Sequence, residues 1–343
     1  MAENELRVGV IGVGMMGADH ADRLVHRVAG ARLVAVSDPD TARAAALAGR
    51  YDGVRSVDDP LALVADDEVD AVVIASPGFV HEEQVLACIA AGKYVLCEKP
   101  LTMDSESSLR VLRAEREAGK ELIQVGFMRR FDPQYAQLQQ LLASGDLGRT
   151  LLLHNTHRNK SVPNPEFRSE MIVRDSLVHE VDVARFMFGQ EITTIQVLSP
   201  APTSHACEGV IDPQVALFTM AGGGVVSNEV FVNCQVGYEV RCEAVSERGT
   251  AIAGRPQSGL YTTRVGEPAG SWGGTVDPDF IARFGLAYDL EFQAWVDATR
   301  RGEVVGATSW DGYASTAVCE AGMQSLASGQ PVAVTLVDKE TLT

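Results

Sequence analysis

Short apolar runs alternate with stretches of helical periodicity along the first 127 residues. The apolar runs are bounded by polar turn residues and predict buried strands at 6–11, 31–37, 69–75, 94–97 and 122–127. Helical windows separate these strands, at about 15–29, 41–50, 80–91 and 105–118. Strands that alternate with helices of this length are typical of βαβ crossovers. The pattern therefore predicts an α/β fold with a doubly wound parallel sheet.

The pattern changes after residue 127. Residues 149–158 are strand-like, residues 172–188 have helical periodicity, and Val- and Thr-rich strand candidates lie between 192 and 265. Clusters of Gly, Pro and Asp separate these candidates, which favours an antiparallel sheet. Amphipathic helices are predicted at 280–301 and 309–328. Because 343 residues exceed what one core usually organises, we predict one domain of residues 1–127 and a second, α+β domain of residues 128–343.

Acidic residues outnumber basic ones, 46 against 29, which gives a formal net charge of −17. This charge repels phosphate backbones and anionic lipids, so we expect neither nucleic acid nor a membrane surface as a partner. No segment has the roughly 18 consecutive apolar residues of a membrane span, and the N-terminus lacks the basic region of a signal peptide. The six cysteines are scattered without a CxxC pair, which is typical of reduced thiols in a cytoplasmic protein.

A glycine motif, Gly12-Val13-Gly14-Met15-Met16-Gly17, lies between the first predicted strand and the first predicted helix. In that place the first glycine permits a tight turn, the second lets a pyrophosphate approach, and the third lets helix and strand pack closely. The motif therefore predicts a Rossmann domain that binds a dinucleotide at Gly12, Gly14, Met15, Met16 and Gly17. The alternative is a glycine turn followed by a helix-capping aspartate.

Asp38 ends the second predicted strand, 26 residues beyond Gly12. A carboxylate at this strand end can accept hydrogen bonds from the adenine ribose diol and repels a 2′-phosphate. No arginine follows Asp38 before Arg43. We therefore predict that Asp38 binds the cofactor and that the cofactor is NAD rather than NADP.

Two further strand ends are expected at the same edge, because ligands bind outside the carboxyl ends of parallel strands. One carries Ser76 and Pro77, with His81 four residues later, and the other carries Glu98-Lys99-Pro100, whose X-Pro bond is a candidate cis peptide. We predict that Ser76, Pro77, His81, Glu98 and Lys99 contribute to the cofactor site. The alternatives are a solvated charge for Lys99 and a polar residue at a helix start for His81.

Asp175 and His179 are four residues apart in a helical window, so both project from one face. Oxidation of a secondary alcohol needs a base for the hydroxyl proton while hydride leaves the carbon, and histidine suits this task. We assign His179 as the base, with Asp175 either orienting it or holding an adjacent hydroxyl. Lys99 would hydrogen-bond the reacting oxygen. The alternative is an ordinary Asp–His pair on a helix surface.

The glycine motif, Ser76-Pro77 with His81, and Glu98-Lys99-Pro100 together resemble the Gfo/Idh/MocA oxidoreductase family. Three further segments, GFMRRFDP at 126–133, DSLVHEVD at 175–182 and GYEVRCE at 237–243, are similar to those of its inositol 2-dehydrogenases. The resemblance spans nearly the whole chain. It implies NAD-dependent oxidation of the axial hydroxyl of myo-inositol to the 2-keto compound, with Lys99, Asp175 and His179 as the catalytic residues.

The resemblance also implies the polyol contacts and the assembly. The expected substrate contacts are Lys99, Arg129, His157, Asn159, Asp175, His179, Tyr238 and Tyr288. Arg130 could take the role of Arg129, and a helix tyrosine such as Tyr288 more often packs in a core. The second domain is expected to form a large open, mostly antiparallel sheet, with its bare face covered by another subunit. The resemblance implies a dimer or a tetramer, and of these we expect a homotetramer.

Three alternatives remain open at this stage. A dehydrogenase of another cyclitol or of an aldose would share the reaction, and a redox-inactive regulator could bind a dinucleotide on the same fold. The proton-handling set of Lys99, Asp175 and His179 argues against the regulator. A metal could be suggested by His154 with His157, or by His179 with Glu180 and Asp182. We expect none, because no HxxxH or HExxH pattern is present and hydride transfer to nicotinamide needs no metal.

Overall fold

The structure, a computed structural model, describes residues 5–162, 164–254 and 276–341. The chain forms two compact units. The first contains Met1–Met128, Tyr288–Thr316 and Val337–Thr343. The second contains Arg129–Ala287 and Ala317–Leu336. Strand candidates beyond residue 254 lie outside the described residues.

The first unit is built on a seven-stranded sheet. Its strands are β1 (Leu6–Ile11), β2 (Ala31–Ser37), β3 (Arg55–Val57), β4 (Ala71–Ile74), β5 (Tyr94–Glu98), β6 (Ile123–Gly126) and β13 (Ala307–Thr308). The helices between its first six strands are α1 (Met15–His26), α2 (Thr41–Ala48), α3 (Pro60–Ala65), α4 (His81–Ala90) and α5 (Ser105–Glu117). The strand order is β13-β6-β5-β4-β1-β2-β3, with β1 to β6 parallel and β13 antiparallel to β6. The expected doubly wound parallel sheet is confirmed.

Burial explains why the central strands were found from sequence. All residues of β4 and β5 are buried, and apart from Glu98 at the end of β5 they form continuous apolar runs. By contrast, β3 has two exposed residues, Arg55 and Ser56, and no apolar pattern predicts it. The α3 helix is short as well. The Asp59 side chain caps it by accepting a hydrogen bond from the Leu61 N–H at 2.9 Å.

The division of the chain differs from the expected one at residue 127. Two segments of the expected second domain, Tyr288–Thr316 and Val337–Thr343, belong to the first unit. The physical reason lies in their packing, because β13 extends the parallel sheet at its β6 edge. The hydroxyl of Ser309 also donates a short hydrogen bond to the buried Glu115 of α5. Contacts this distant along the chain leave no periodic pattern in the sequence.

The second unit contains another seven-stranded sheet. Its strands are β7 (Thr150–Arg158), β8 (Ile192–Leu198), β9 (Gln214–Met220), β10 (Val225–Phe231), β11 (Glu239–Ser246), β12 (Gly249–Ala253) and β14 (Val332–Ala333). Their order is β12-β11-β7-β10-β9-β8-β14, and every neighbouring pair is antiparallel except β7 with β10. Buried and partly exposed residues alternate along β9, β10 and β11. The expected α+β unit with a mostly antiparallel sheet is confirmed.

Helices of the second unit flank this sheet. The α6 helix (Pro133–Ser144), which the sequence analysis did not predict, begins at Asp132, whose side chain accepts hydrogen bonds from the Gln134 and Tyr135 N–H groups. The expected helix at 172–188 is interrupted: a short α7 (Ser169–Met171) leads into a π-helical turn (Ile172–Leu177), and α8 (Val178–Phe188) follows. The α9 (Phe280–Arg301) and α10 (Ser309–Ser328) helices, each of which is divided between the two units, have the expected bounds.

Candidate active site

The glycine turn has the geometry that a dinucleotide needs. Gly12 has a φ of +83°, and a Cβ there would lie 2.4 Å from the Ser76 nitrogen. A Cβ on Gly17 would lie 1.7 Å from the Gly12 carbonyl oxygen, whereas a Cβ on Gly14 would meet nothing within 4 Å. The first and third glycines are therefore required by packing, and the second leaves room for a ligand. Met15 follows on α1 and is largely exposed, and Met16 is partly exposed.

Asp38 is tied to this turn. One of its carboxylate oxygens accepts the Val13 N–H at 2.8 Å, and the other accepts the Asp40 N–H at 2.9 Å. An Arg43 guanidinium nitrogen lies 3.7 Å from the first oxygen. Asp38 is buried at the end of β2, so its charge is held beside the glycine turn, where an adenine ribose is expected.

His81 is buried between two backbone segments. Its ring nitrogens lie 2.8 Å from the Ser76 and Pro100 carbonyl oxygens, and burial lowers the pKa of the imidazole. The ring therefore holds the turn after β4 against the turn after β5 instead of facing solvent. Ser76 donates its hydroxyl hydrogen bond to Gln84 at 2.6 Å, and Pro77 precedes a short 3₁₀ helix at Gly78–Val80.

Glu98, Lys99 and Pro100 follow β5, and the Lys99–Pro100 peptide is cis, as the sequence suggested. The Glu98 carboxylate accepts the Lys99 N–H at 3.3 Å and lies 2.8 Å from the His20 Nε2. Burial opposes ionisation of Glu98, but its contacts with His20 and Lys99 hold the pKa below the ordinary value. Glu98 is therefore an ionised carboxylate that contacts both His20 and the backbone of Lys99.

In the second unit, Arg129 and Glu180 form a buried ion pair. The Arg129 guanidinium donates a short hydrogen bond to Glu180 and also lies 3.3 Å from the His157 Nδ1. Burial disfavours the Glu180 carboxylate, but the charge of Arg129 and the contacts with His157 lower its pKa. Arg129 is only 2% exposed, and the contacts of its guanidinium are with Glu180 and His157.

Three expected site residues surround this pair. His157 points its Nδ1 at a Glu180 oxygen, 3.1 Å away, and its ring centre lies 6.1 Å from that of His179 and 5.7 Å from that of Tyr238. Burial, partly offset by the charge of Arg129, raises the pKa of Tyr238 to about 12, so its phenol stays protonated at ordinary pH. The structure thus brings together His157, His179 and Tyr238.

The side chains of Asp175 and Asp182 have different partners. Asp175 lies in the π turn and accepts two hydrogen bonds from Arg174, at 2.7 and 2.8 Å. Asp182 accepts the guanidinium of Arg130, the closest distance being 2.6 Å. Arg130 and Asp182 therefore form an ion pair of their own. π turns inside helices are frequent at functional sites.

Two expected contacts differ in their surroundings. The side-chain oxygen of Asn159 is buried without a hydrogen-bond partner among the described residues, which suits a ligand hydroxyl. Tyr288 is 4% exposed in the first unit, where its ring lies beside His20 and the Arg23 guanidinium. That environment favours core packing over substrate contact for Tyr288.

Sequence reasoning missed His20 and gave Glu180 no positive role. Glu180 is adjacent to His179 in the DSLVHEVD segment, which was the available signal, but it was considered only as a metal ligand. His20 is one of two histidines in the helical window at 15–29, and no pattern there connects it with Glu98. Among the described residues, no group of three or more His, Cys, Asp or Glu side chains is arranged to hold a metal ion. None of the described helices is long and apolar enough to cross a membrane.

A glycine turn, an acidic strand end and a histidine–carboxylate cluster on a separate sheet unit define the class of dinucleotide-dependent oxidoreductases. Residues 6–127 match the family model of the Gfo/Idh/MocA oxidoreductases with an NAD-binding Rossmann fold, and residues 135–252 match the model of their C-terminal domain. The chain belongs to the Gfo/Idh/MocA oxidoreductase family, which confirms the resemblance stated above.

The chain is also similar to individual members of this family. It is 52% identical over 346 residues to inositol 2-dehydrogenase of Mycolicibacterium smegmatis and 54% identical over 344 residues to inositol 2-dehydrogenase 1 of Mycolicibacterium vanbaalenii, with 99% of each chain covered. A solved structure of myo-inositol dehydrogenase from Lactobacillus casei, in complex with NAD(H) and myo-inositol, superposes with a TM-score of 0.90 at 33% identity. That match covers 98% of this chain and 99% of the other.

Proposed function

We propose that this protein oxidises the axial hydroxyl of myo-inositol to the 2-keto compound with NAD as the hydride acceptor. The observation that carries the proposal is the cluster of His157, His179 and Tyr238 around a buried Glu180, in a chain about half identical to inositol 2-dehydrogenases. Histidines held by a carboxylate can accept a hydroxyl proton, and a protonated phenol can hydrogen-bond a polyol.

The residues of the first unit fit NAD. Gly14 leaves open space at the start of α1, the helix N–H groups are available to a pyrophosphate, and Asp38 places a carboxylate at the end of β2. We infer that the glycine turn, Asp38, the Ser76–Pro77 turn and the Glu98–Lys99 turn hold the cofactor. When bound, NAD supplies a nicotinamide carbon that accepts hydride.

His179 acts as the general base that takes the proton from the reacting hydroxyl. Asp175, one helical turn earlier, orients that histidine or holds a neighbouring hydroxyl. Lys99 donates a hydrogen bond to the reacting oxygen and stabilises the negative charge that develops on it. His157, Asn159 and Tyr238 hold further hydroxyls of the ring. Arg129 acts through Glu180 and His157, because it is buried against both.

The test is an initial-rate assay of NADH formation with a panel of inositol isomers and common aldoses, each with NAD and with NADP. We expect myo-inositol with NAD to give the highest kcat/KM. A higher kcat/KM for another cyclitol or for an aldose would change the proposed substrate but not the proposed reaction. Absence of reduced cofactor with every compound would leave a non-catalytic dinucleotide-binding regulator as the better account.

We also propose that the protein is a cytoplasmic homotetramer. Its six cysteines are all free thiols, which suits a reducing compartment. The outward face of the second sheet carries the exposed apolar side chains of Leu198 and Val225, and also a charged group formed by Arg158, Glu229 and Glu239. A second copy of this chain would cover that face and remove the aggregation risk of a wide open sheet.

Light scattering after gel filtration tests the assembly. We expect a mass four times that of one chain, and we expect Val225→Lys to lower it. Val25→Lys is the matched control, because Val25 is equally exposed, at 38%, but lies on α1 of the first unit. A monomeric wild-type protein at micromolar concentration would contradict the proposal.

A further inference from the structure

A fully buried histidine, His20, connects α1 to the turn that carries Lys99. Its Nε2 lies 2.8 Å from one Glu98 oxygen, and the other Glu98 oxygen accepts the Lys99 N–H at 3.3 Å. His20 has no solvent exposure, and Glu98 is 8% exposed. The first unit therefore contains a continuous path of contacts from His20, through Glu98, to the backbone of Lys99.

The hydrogen-bond partners of His20 fix which of its ring nitrogens donates and which accepts. Its Nδ1 lies 2.9 Å from an Arg23 guanidinium nitrogen, which can only donate. The Nδ1 must therefore accept, and the ring proton of the neutral imidazole is on Nε2, where it is donated to Glu98. An imidazolium would direct a second N–H at Arg23, and the opposite tautomer would direct a lone pair at the carboxylate.

Arg23 is itself held in place. It donates to Asp19 at 2.8 Å and to Asp289 at 2.6 Å. The His20 ring lies 4.5 Å from the ring centre of Phe292, at an interplanar angle of 33°. Both the ring plane and the tautomer are thus determined by buried neighbours.

We propose that His20 is a positioning residue for the proposed dehydrogenase reaction: as a neutral Nε2–H donor it orients Glu98, and Glu98 fixes the backbone of Lys99. The inference rests on the role proposed above for Lys99. The contacts act in one order. Arg23 determines the tautomer of His20, His20 determines the orientation of the Glu98 carboxylate, and that carboxylate determines the position of the Lys99 backbone. Buried partners of this kind hold reacting groups within the narrow tolerance that catalysis requires.

Two substitutions of similar size separate the two nitrogens of His20. A glutamine amide nitrogen reaches about as far as the Nε2, so His20→Gln keeps the donor to Glu98. An asparagine ends near the Nδ1, so His20→Asn keeps an acceptor for Arg23 and loses that donor. We expect H20N to lower kcat about 10- to 100-fold and H20Q to retain most of it, because the hydrogen bond to the Glu98 carboxylate is lost only in H20N. The control is H26N, on the same helix at a side chain that is 58% exposed.

Double variants with Lys99→Ala distinguish positioning from a general loss of structure. If His20 acts through Lys99, H20N should change the single-turnover rate of K99A by less than about twofold, whereas independent effects would multiply. The dissociation constant of NADH should stay within about threefold of the wild-type value in H20N. Glu98→Gln changes the next residue of the path. If H20N does not fold, E98Q takes its place, and its effect on the single-turnover rate is measured in the wild-type and K99A backgrounds.

Three results would overturn the proposal: wild-type kcat in H20N, an H20Q as impaired as H20N, or a loss in the K99A background equal to that in the wild-type background. A K99A variant with wild-type kcat is a different failure. It would remove the proposed role of Lys99 itself, and the positioning role of His20 would fall with it.

Discussion

His179 is the second residue of α8, directly after the π turn. The centre of its ring lies 6.1 Å from that of His157. If it is the general base, His179→Ala should lower kcat by about 10²- to 10⁴-fold, because the hydroxyl proton loses its acceptor. Steady-state rates with myo-inositol and NAD measure this. His26→Ala, at an exposed histidine on α1, is the control. A change confined to KM would assign His179 to binding alone.

Asp38 allows the cofactor preference to be tested. Asp38→Asn keeps an oxygen for the Val13 N–H but removes the negative charge. We expect the kcat/KM ratio of NADP to NAD to rise about tenfold or more, because repulsion of the 2′-phosphate is relieved. Asp58→Asn, at an exposed position after β3, should leave the ratio unchanged. An unaltered ratio in D38N would remove Asp38 from the ribose site.

The buried pair of Arg129 and Glu180 joins two elements of the second unit, the turn before α6 and α8. Arg129→Met leaves the Glu180 carboxylate buried without its cation, so we expect the free energy of unfolding to fall by about 3–5 kcal/mol. Urea unfolding measures this change. Arg149→Gln removes an arginine whose side chain is 70% exposed and should cost less than about 0.5 kcal/mol. Equal effects of the two variants would show that the buried pair has no special role.

Elements could be predicted from sequence where periodicity and burial agree. The strands β1 and β2 and the helices α9 and α10 have the expected bounds, because long apolar patterns define them. The exposed β3 and the two-residue β13 carry no such pattern and were not found. The π turn was also not expected. It is only six residues long, and so short a change of helical pitch leaves the apolar spacing of residues 172–188 almost unaltered.

For the whole molecule, two buried carboxyl groups should shift the pH dependence of stability in opposite directions. The Glu180 pKa is lowered below its ordinary value, so its stabilising effect is complete above the unfolded value of about 4.3 and is lost as the pH falls toward the folded pKa. Burial raises the Glu115 pKa, so stability is gained as the pH falls through that higher folded value.

Urea unfolding between about pH 7 and pH 3.5 tests this contrast. The difference in unfolding free energy between wild type and Glu180→Gln should shrink as the pH falls. The difference between wild type and Glu115→Gln should change with the opposite sign. Parallel pH profiles for the two variants would contradict these assignments.

The sequence predicted candidate site residues, but not the contacts that each of them makes. It pointed to Lys99, His157, His179 and Tyr238 through their motifs. It could not show that Arg129 is buried against Glu180, because tertiary packing decides this. It also could not show that the ring of Tyr288 lies beside His20 in the first unit.

The central claim is that hydride leaves C2 of myo-inositol for NAD. The most direct measurement is turnover of myo-inositol deuterated at C2, with the product and the reduced nicotinamide analysed by mass spectrometry and NMR. We expect one deuterium in the reduced nicotinamide for each 2-keto product formed. Reduced cofactor without deuterium, or a ketone at another carbon, would contradict the account.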